Sequence, residues 1–173
     1  MFYREYNLED NQSVDIEKLK AKFMSNADYS NAHSHLPIVC ADVLIRFNDG
    51  FLLVKRENYP VKGEVWCIGG RLLRGIPTTE SIKIIAKREC GLDINNTQLI
   101  GVARHFLQTD PFSHGRGTDT PAFMFIADGK GKVTLDNFHS TQFILSKEKY
   151  TSEFKKKLHP YMKDFLDLAF ASI

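Results

Sequence analysis

Gly69-Gly70-Arg71-Leu72-Leu73-Arg74-Gly75-Ile76-Pro77-Thr78-Thr79-Glu80-Ser81-Ile82-Lys83-Ile84-Ile85-Ala86-Lys87-Arg88-Glu89-Cys90-Gly91-Leu92 is the stretch on which the reading of this chain turns. Thr78 or Thr79 offers a capping side chain, Gly91 a left-handed C-terminal cap, and the residues between them predict a helix ending near Cys90. At about 100° per residue, Ile82, Ile85, Ala86 and Glu89 share one side, Glu80, Lys83 and Lys87 lie roughly opposite, and Ile84 falls off the apolar stripe. A carboxylate beside an apolar stripe is costly unless it is paired or holds a cation. Glu89 therefore reads either as half of an ion pair with Arg71 or Arg88, or as a metal ligand.

Immediately before this helix, Val65 to Ile68 reads as a short strand that stops at Gly69-Gly70, where the backbone can bend or come close to a ligand. Further out, Ile38–Phe47 and Phe51–Val54 read as two strands joined by the hairpin signal Asn48-Asp49-Gly50. Arg56 follows the second of them. It and Arg71 are either surface charges or a pair that converges on a diphosphate. Asp42 sits within the apolar run Val39–Leu44, where an unpaired acid is costly unless the strand is an edge and the acid faces solvent.

Downstream, strands are expected at Leu99–Phe106, Ala122–Ile126, Val133–Leu135 and Gln142–Leu145, with a polar loop from Gln108 to Thr120. A closing helix from about Ser152 carries Phe154, Leu158, Tyr161, Phe165 and Leu168 on one face, and Pro160 kinks or restarts it. Residues 1–35 read as an N-terminal extension: Ser13 caps a short helix over Ile16, Leu19 and Phe23, and Ser25–His35 is a linker whose His33 and His35 are solvated. The compact domain is residues 36–173. Strands interleaved with two helices predict an α+β fold, a mixed sheet with helices on its faces.

A length of 173 residues suits one domain with a substantial core. The net charge of +2 gives no case for nucleic acid or a membrane surface as partner, so anion recognition must be local. The three cysteines, Cys40, Cys67 and Cys90, are scattered without C-x-x-C spacing, which fits a reducing compartment. No apolar run approaches the ~20 residues of a membrane span, and a cytoplasmic protein is expected.

From Gly70 the spacing to Ile76, to Ile84-Ile85, to Arg88-Glu89 and to Gly91-Leu92 resembles the Nudix box, whose signature is Gly, five residues, Glu, seven residues, Arg-Glu, an aliphatic, any residue, Glu-Glu, any residue, Gly and an aliphatic. The first Gly, the last Glu and the closing Gly-Leu are kept; Ile76, Ile84-Ile85 and Arg88 replace the other acids and the arginine. Phe51-Leu52-Leu53-Val54-Lys55-Arg56-Glu57-Asn58-Tyr59-Pro60, with Gly63, Trp66, Gly69-Gly70-Arg71 and Gly101-Val102-Ala103-Arg104-His105-Phe106, is similar to the GDP-mannose mannosyl hydrolase branch of that family, which also keeps only the last Glu. The resemblance runs from about Pro37 to Lys149 and implies the Nudix fold, an α/β/α sandwich.

It also implies a chemistry. In that branch water attacks the anomeric carbon of a nucleoside diphosphate sugar, and the nucleoside diphosphate leaves. The resemblance assigns Mg²⁺, or Mn²⁺ in its place, to Glu89 and the Gly69 carbonyl. It assigns the diphosphate to Arg56 and Arg71, a place near the substrate to Asp42, and the general base to His139, whose imidazole has suitable basicity at neutral pH. The branch's glutamine ligand preceding the His is Phe138 here, and its helix arginine is Ile84. Two other functions stay open: a pyrophosphatase recruiting acids such as Glu64, Asp110 or Asp119, and a non-catalytic nucleotide-binding module. Ile16, Leu19 and Phe23 need cover, so the N-terminal segment is expected either to extend a homodimer interface or to fold back on its own domain.

Overall fold

A computed structural model describes residues 2–10, 12–21 and 23–172. A two-stranded ribbon, β1 (Leu8–Glu9) and β2 (Gln12–Ser13), leads into a 3-10 turn at Ile16–Leu19 and then into α1 (Asn26–His35). The sheet is built from β3 (Cys40–Phe47), β4 (Gly50–Arg56), β5 (Val65–Trp66), β6 (Ile68–Arg71), β7 (Asp93–Leu107), β8 (Thr118–Lys130) and β9 (His139–Leu145). Between β6 and β7 lies α2 (Thr78–Cys90), and the chain closes with α3 (Ser152–Lys155) and α4 (Pro160–Ala171).

Strand order is β5-β4-β3-β8-β7, with β6 also paired to β3 and β9 also paired to β4. β3 and β8 run parallel, and the other pairings are antiparallel. β3 changes partner along its length, from β6 at Cys40–Val43 to β4 at Ile45–Phe47. Side-chain alternation then sorts the core into two layers. Val43, Ile45, Leu52, Val54, Phe125 and Ala127 pack with Ile82, Ile85, Ala86 and Cys90 of α2. Leu44, Phe51, Leu53, Met124 and Ile126 pack with Tyr161, Met162, Phe165, Leu166 and Ala169 of α4. Each such buried aliphatic or aromatic side chain contributes roughly 1.5–3 kcal/mol. The expected α/β/α sandwich is the fold found.

Several local expectations are corrected. The helix of the N-terminal segment is not over Ile16–Phe23, where only the four-residue turn capped by Asp15 forms, but at Asn26–His35, the stretch read as a linker. Ser25 starts it, its hydroxyl accepting from the Asp28 amide at 3.1 Å. Val65–Ile68 is not one strand: the chain breaks at Cys67 to leave β4 and join β3, so Gly69-Gly70 lie inside β6 and form no bend. Val133–Leu135 is not a strand; it crosses the end of α2, the Thr134 and Asp136 amides donating to the Cys90 and Glu89 carbonyls at 2.9 and 3.0 Å. Pro160 does restart a helix, but Leu168 faces solvent and Met162, Leu166 and Ala169 take its place in the core.

Gly91 caps α2 at φ 75°, as expected, whereas neither Thr78 nor Thr79 caps its start. The cap comes from the N-terminal segment. One oxygen of the Glu5 carboxylate accepts from the Thr78 amide at 2.8 Å, from the Thr78 hydroxyl at 2.6 Å and from the Tyr3 hydroxyl at 2.9 Å. A carboxylate there also favours the positive end of the helix dipole. Replacing Glu5 by Ala is therefore expected to lower stability by about 1 kcal/mol, a melting shift of roughly 2–4 °C. A thermal melt indistinguishable from wild type would show that residues 3–5 do not cap α2.

Candidate active site

The end of the sheet where β3 exchanges β4 for β6 opens into a cleft of about 670 Å³, a size typical of small-ligand sites. Asp42, Arg56, Gly69, Arg71, Glu89 and His139, the six residues singled out in the sequence, all line it. They arrive from five elements, and the topology explains how.

β3 is a central strand, so Asp42 is not on an edge facing solvent; it is buried, and its carboxylate accepts from the Tyr161 hydroxyl at 2.7 Å. Burial raises its pKa to about 6, against the opposing pull of the Tyr161 bond and of Arg56. Opposite Asp42 in the register is Gly69. A Cβ at Gly69 would collide with the Asp42 carboxylate and stand 2.9 Å from the Ala41 carbonyl, so only glycine lets β6 lie here. The Gly69 amide donates to Glu89 at 3.3 Å, and thus it is the N–H rather than the carbonyl that faces the acid.

Glu89 comes from the apolar face of α2, with 7% of its surface exposed. Its partner is Arg88 at 2.9 Å; Arg71 takes no part. Burial nevertheless dominates and lifts the Glu89 pKa to about 7, because Arg88 is half exposed and the Gly69 bond is long. A carboxylate so weakly compensated, on the wall of a cleft, suits a cation shared with a bound ligand. Among the described residues no three His, Cys, Asp or Glu side chains converge, so any such cation would draw most of its ligands from substrate and water.

Arg56 is held in place by its own loop, donating Nε to the Pro60 carbonyl and a terminal nitrogen to the Asn58 side chain, both at 3.1 Å. Arg71 lies with its guanidinium carbon 4.0 Å from the centre of the Tyr29 ring. Arg88 adds a third guanidinium to the lining.

His139 opens β9, and a register shift in the β4–β9 pairing between Val54 and Arg56 sets it opposite Arg56. It is buried, with Nδ1 2.8 Å from Asp136 Oδ1. The same oxygen accepts from the Phe138 amide at 2.9 Å, which fixes the carboxylate. With Nδ1–H donating to Asp136, the lone pair is on Nε2, a buried atom with no hydrogen-bond partner among the described residues. Asp136 is a functional candidate that sequence reasoning missed. Its signal is the Asp-x-x-His spacing, in which a side chain turns back onto its own loop.

His105 was missed as well, although it lies within the quoted Gly101–Phe106 stretch. It lines the cleft among Trp66 and Tyr161, and its Nε2 also lacks a partner. His33, read as solvated, is buried in the cleft wall, with Nδ1 2.8 Å from His114 Nε2. Glu64, Asp110 and Asp119 do not line the cleft; Asp110 accepts from three amides of its own loop and Asp119 pairs with Arg104.

The architecture is that of the Nudix/MutT hydrolases. The chain superposes on a MutT Nudix hydrolase from Burkholderia pseudomallei with a TM-score of 0.63 at 18% identity, over 78% of this chain and 98% of that one. A MutT protein from Methanosarcina mazei Go1 gives a TM-score of 0.60 at 20% identity, over 77% of this chain and 93% of that one. A bifunctional NMN adenylyltransferase/ADP ribose pyrophosphatase from Francisella tularensis, in complex with AMP and a manganese ion, gives a TM-score of 0.59 at 15% identity, over 84% of this chain and 44% of that one. No family model matches the sequence. It is, however, 30% identical over 140 residues to the low-salt glycan biosynthesis protein Agl8 of Haloferax volcanii, spanning 78% of this chain and 83% of that protein. The chain belongs to the family of that protein.

Burial of His105 has a measurable consequence. Desolvation, aided by His159, holds its pKa down at about 4, below the ~6.5 of an unfolded histidine. The unfolded state therefore binds the extra proton first as pH falls, and stability is lost from about pH 6.5 down to about 4. The expected loss is roughly 3 kcal/mol at most. Denaturant unfolding of wild type and His105→Gln from pH 7.5 to 4.5 checks this: the variant should show a shallower decline, and parallel curves would rule out His105 as a source.

Proposed function

We propose that the chain is an Mg²⁺-dependent hydrolase of a nucleoside diphosphate sugar, with water attacking the anomeric carbon and the nucleoside diphosphate departing. The observation that carries this reading is the Asp136–His139 pair: Nε2 has no hydrogen-bond partner among the described residues, and His139 lines one cleft with Arg56, Arg71 and Arg88. A general base and a triple guanidinium set are what displacement of a diphosphate by water requires. The name of the Haloferax relative supports a setting in glycan biosynthesis. GDP-mannose is the model substrate.

In the reaction the bond from the water oxygen to the anomeric carbon forms as the carbon–oxygen bond to the diphosphate breaks, and its electron pair stays on the phosphoryl oxygen. His139 Nε2 takes the proton of the water. Asp136, accepting from Nδ1–H, holds the ring in the required tautomer and stabilises the imidazolium that results. Arg56, already oriented by Asn58 and Pro60, and Arg71 neutralise the leaving diphosphate. Asp42, whose environment disfavours its charge, accepts from Tyr161 and lies where a sugar hydroxyl or Arg56 can use its second oxygen. Glu89 would hold the divalent cation, without the Gly69 carbonyl, since the Gly69 N–H is what faces the acid; Mg²⁺ there would offset the charge that develops on the leaving group, and the manganese complex of the Francisella protein supports Mn²⁺ as a substitute. A pyrophosphatase that recruits Glu64, Asp110 or Asp119 gains no support, since none of the three reaches the cleft.

Turnover of a panel of nucleoside diphosphate sugars in ¹⁸O-water with Mg²⁺ tests the reading. The label is expected in the released sugar, with an unlabelled nucleoside diphosphate. Label in a phosphate would move the attack to phosphorus, and binding without turnover would leave a non-catalytic module. His139→Ala is expected to lower kcat by roughly 10²–10⁴-fold, and Asp136→Asn by at least about tenfold, with KM little changed. Glu89→Gln should remove the Mg²⁺ dependence; a rate that still rises with Mg²⁺ would take Glu89 out of the cation site.

A further inference from the structure

The three arginines of the cleft are held in different ways. Arg56 is fixed by two hydrogen bonds to its loop, and Arg88 is tied to Glu89. Arg71 is in no ion pair among the described residues, and its guanidinium carbon stands 4.0 Å from the centre of the Tyr29 ring. Tyr29 belongs to α1, a helix outside the Nudix resemblance that runs from Pro37.

We propose that Tyr29 is a positioning residue for Arg71, so that α1 is part of the machinery that binds the diphosphate. The inference rests on the reading of the cleft as a site for a nucleoside diphosphate sugar. A guanidinium lying over an aromatic face is fixed in plane while its N–H groups stay free at the rim, where phosphoryl oxygens can take them. A carboxylate partner would hold the group just as firmly but would occupy those donors and cancel the charge. Ring stacking does neither.

The ring is itself held by a further aromatic contact. Its edge meets Phe112 at 5.0 Å between centroids, and one turn further along α1, His33 makes its 2.8 Å hydrogen bond to His114. Phe112 and His114 lie in the β7–β8 loop, which Asp110 orders by accepting from the amides of Phe112, His114 and Gly115 at 2.8, 3.1 and 3.1 Å. The loop grips α1, α1 carries Tyr29, and Tyr29 sets Arg71.

Isothermal titration of the full chain with inorganic pyrophosphate and Mg²⁺ tests the inference. Tyr29→Leu is expected to weaken pyrophosphate binding by roughly five- to tenfold, and Tyr29→Phe, which keeps the ring face, by less than about twofold. In an Arg71→Ala background, Tyr29→Leu should have no further effect. If Tyr29→Leu does not fold, phenylalanine against pentafluorophenylalanine at position 29 asks the same question with the shape kept: draining the negative face of the ring should weaken binding by a similar factor. Wild-type affinity in Tyr29→Leu or in the fluorinated protein, or an equal loss without Arg71, overturns the inference while leaving the diphosphate reading intact. A wild-type protein that binds no pyrophosphate overturns both.

Discussion

Two acids, Asp42 and Glu89, are brought to one glycine, and the cleft depends on that approach. Gly69 lies opposite Asp42 in the sheet and donates its amide to Glu89, with no room for a side chain between them. A side chain at residue 69 would strike Asp42, so β6 could not pair with β3 at this point. The approach is also costly in electrostatic terms, since both carboxylates are buried and both are pushed towards their neutral forms. The fold counters this with guanidinium groups, Arg56 towards Asp42 and Arg88 towards Glu89, rather than with burial of neutral residues.

The charge layout follows from where each group is anchored. Arg56 and Asp42 belong to strands whose alternate residues are core, so their backbones cannot shift without unpacking the sheet. His139 is at a strand start, where one hydrogen bond from its own loop orients it. Arg88 and Glu89 are neighbours on α2, one half exposed and the other buried, which leaves their pair only partly compensated. The rigid frame carries the groups proposed to meet the phosphoryl oxygens, while the groups from loops and from α1 orient them.

How much of this was legible in the sequence varied with the kind of signal. α2 could be read because its apolar stripe and Gly91 are local features, and the hairpin at Asn48-Asp49 because both residues take up positive φ, 46° and 63°, as its sequence demands. The division of Val65–Arg71 into β5 and β6 could not, since a run of strand-like residues does not announce a change of partner at Cys67. Nor could α1: Asn26–His35 has no apolar stripe, and the helix is held by the Ser25 cap and by contacts of Tyr29 and His33 with a loop some 80 residues away, at 81 positions for His33 and His114. The six residues drawn from the resemblance all line one cleft, because the fold sets which strand ends and which helix face come together. Asp136 and His105 escaped because their meaning lies in which nitrogen of a ring is left without a partner, and only the fold shows that.

The stretch after Gly131, which crosses the end of α2, ties that helix to the strand that carries the imidazole. The Asp136 amide is bonded to the Glu89 carbonyl, so the residue that steers the imidazole and the residue proposed to face the cation are joined through one backbone contact. His139 itself opens β9 opposite Arg56 of β4, so the imidazole and Arg56 are held by the sheet, while Glu89 and Arg88 are carried by α2. A ligand reaching from Arg56 to Glu89 would therefore span both parts and brace the helix against the sheet.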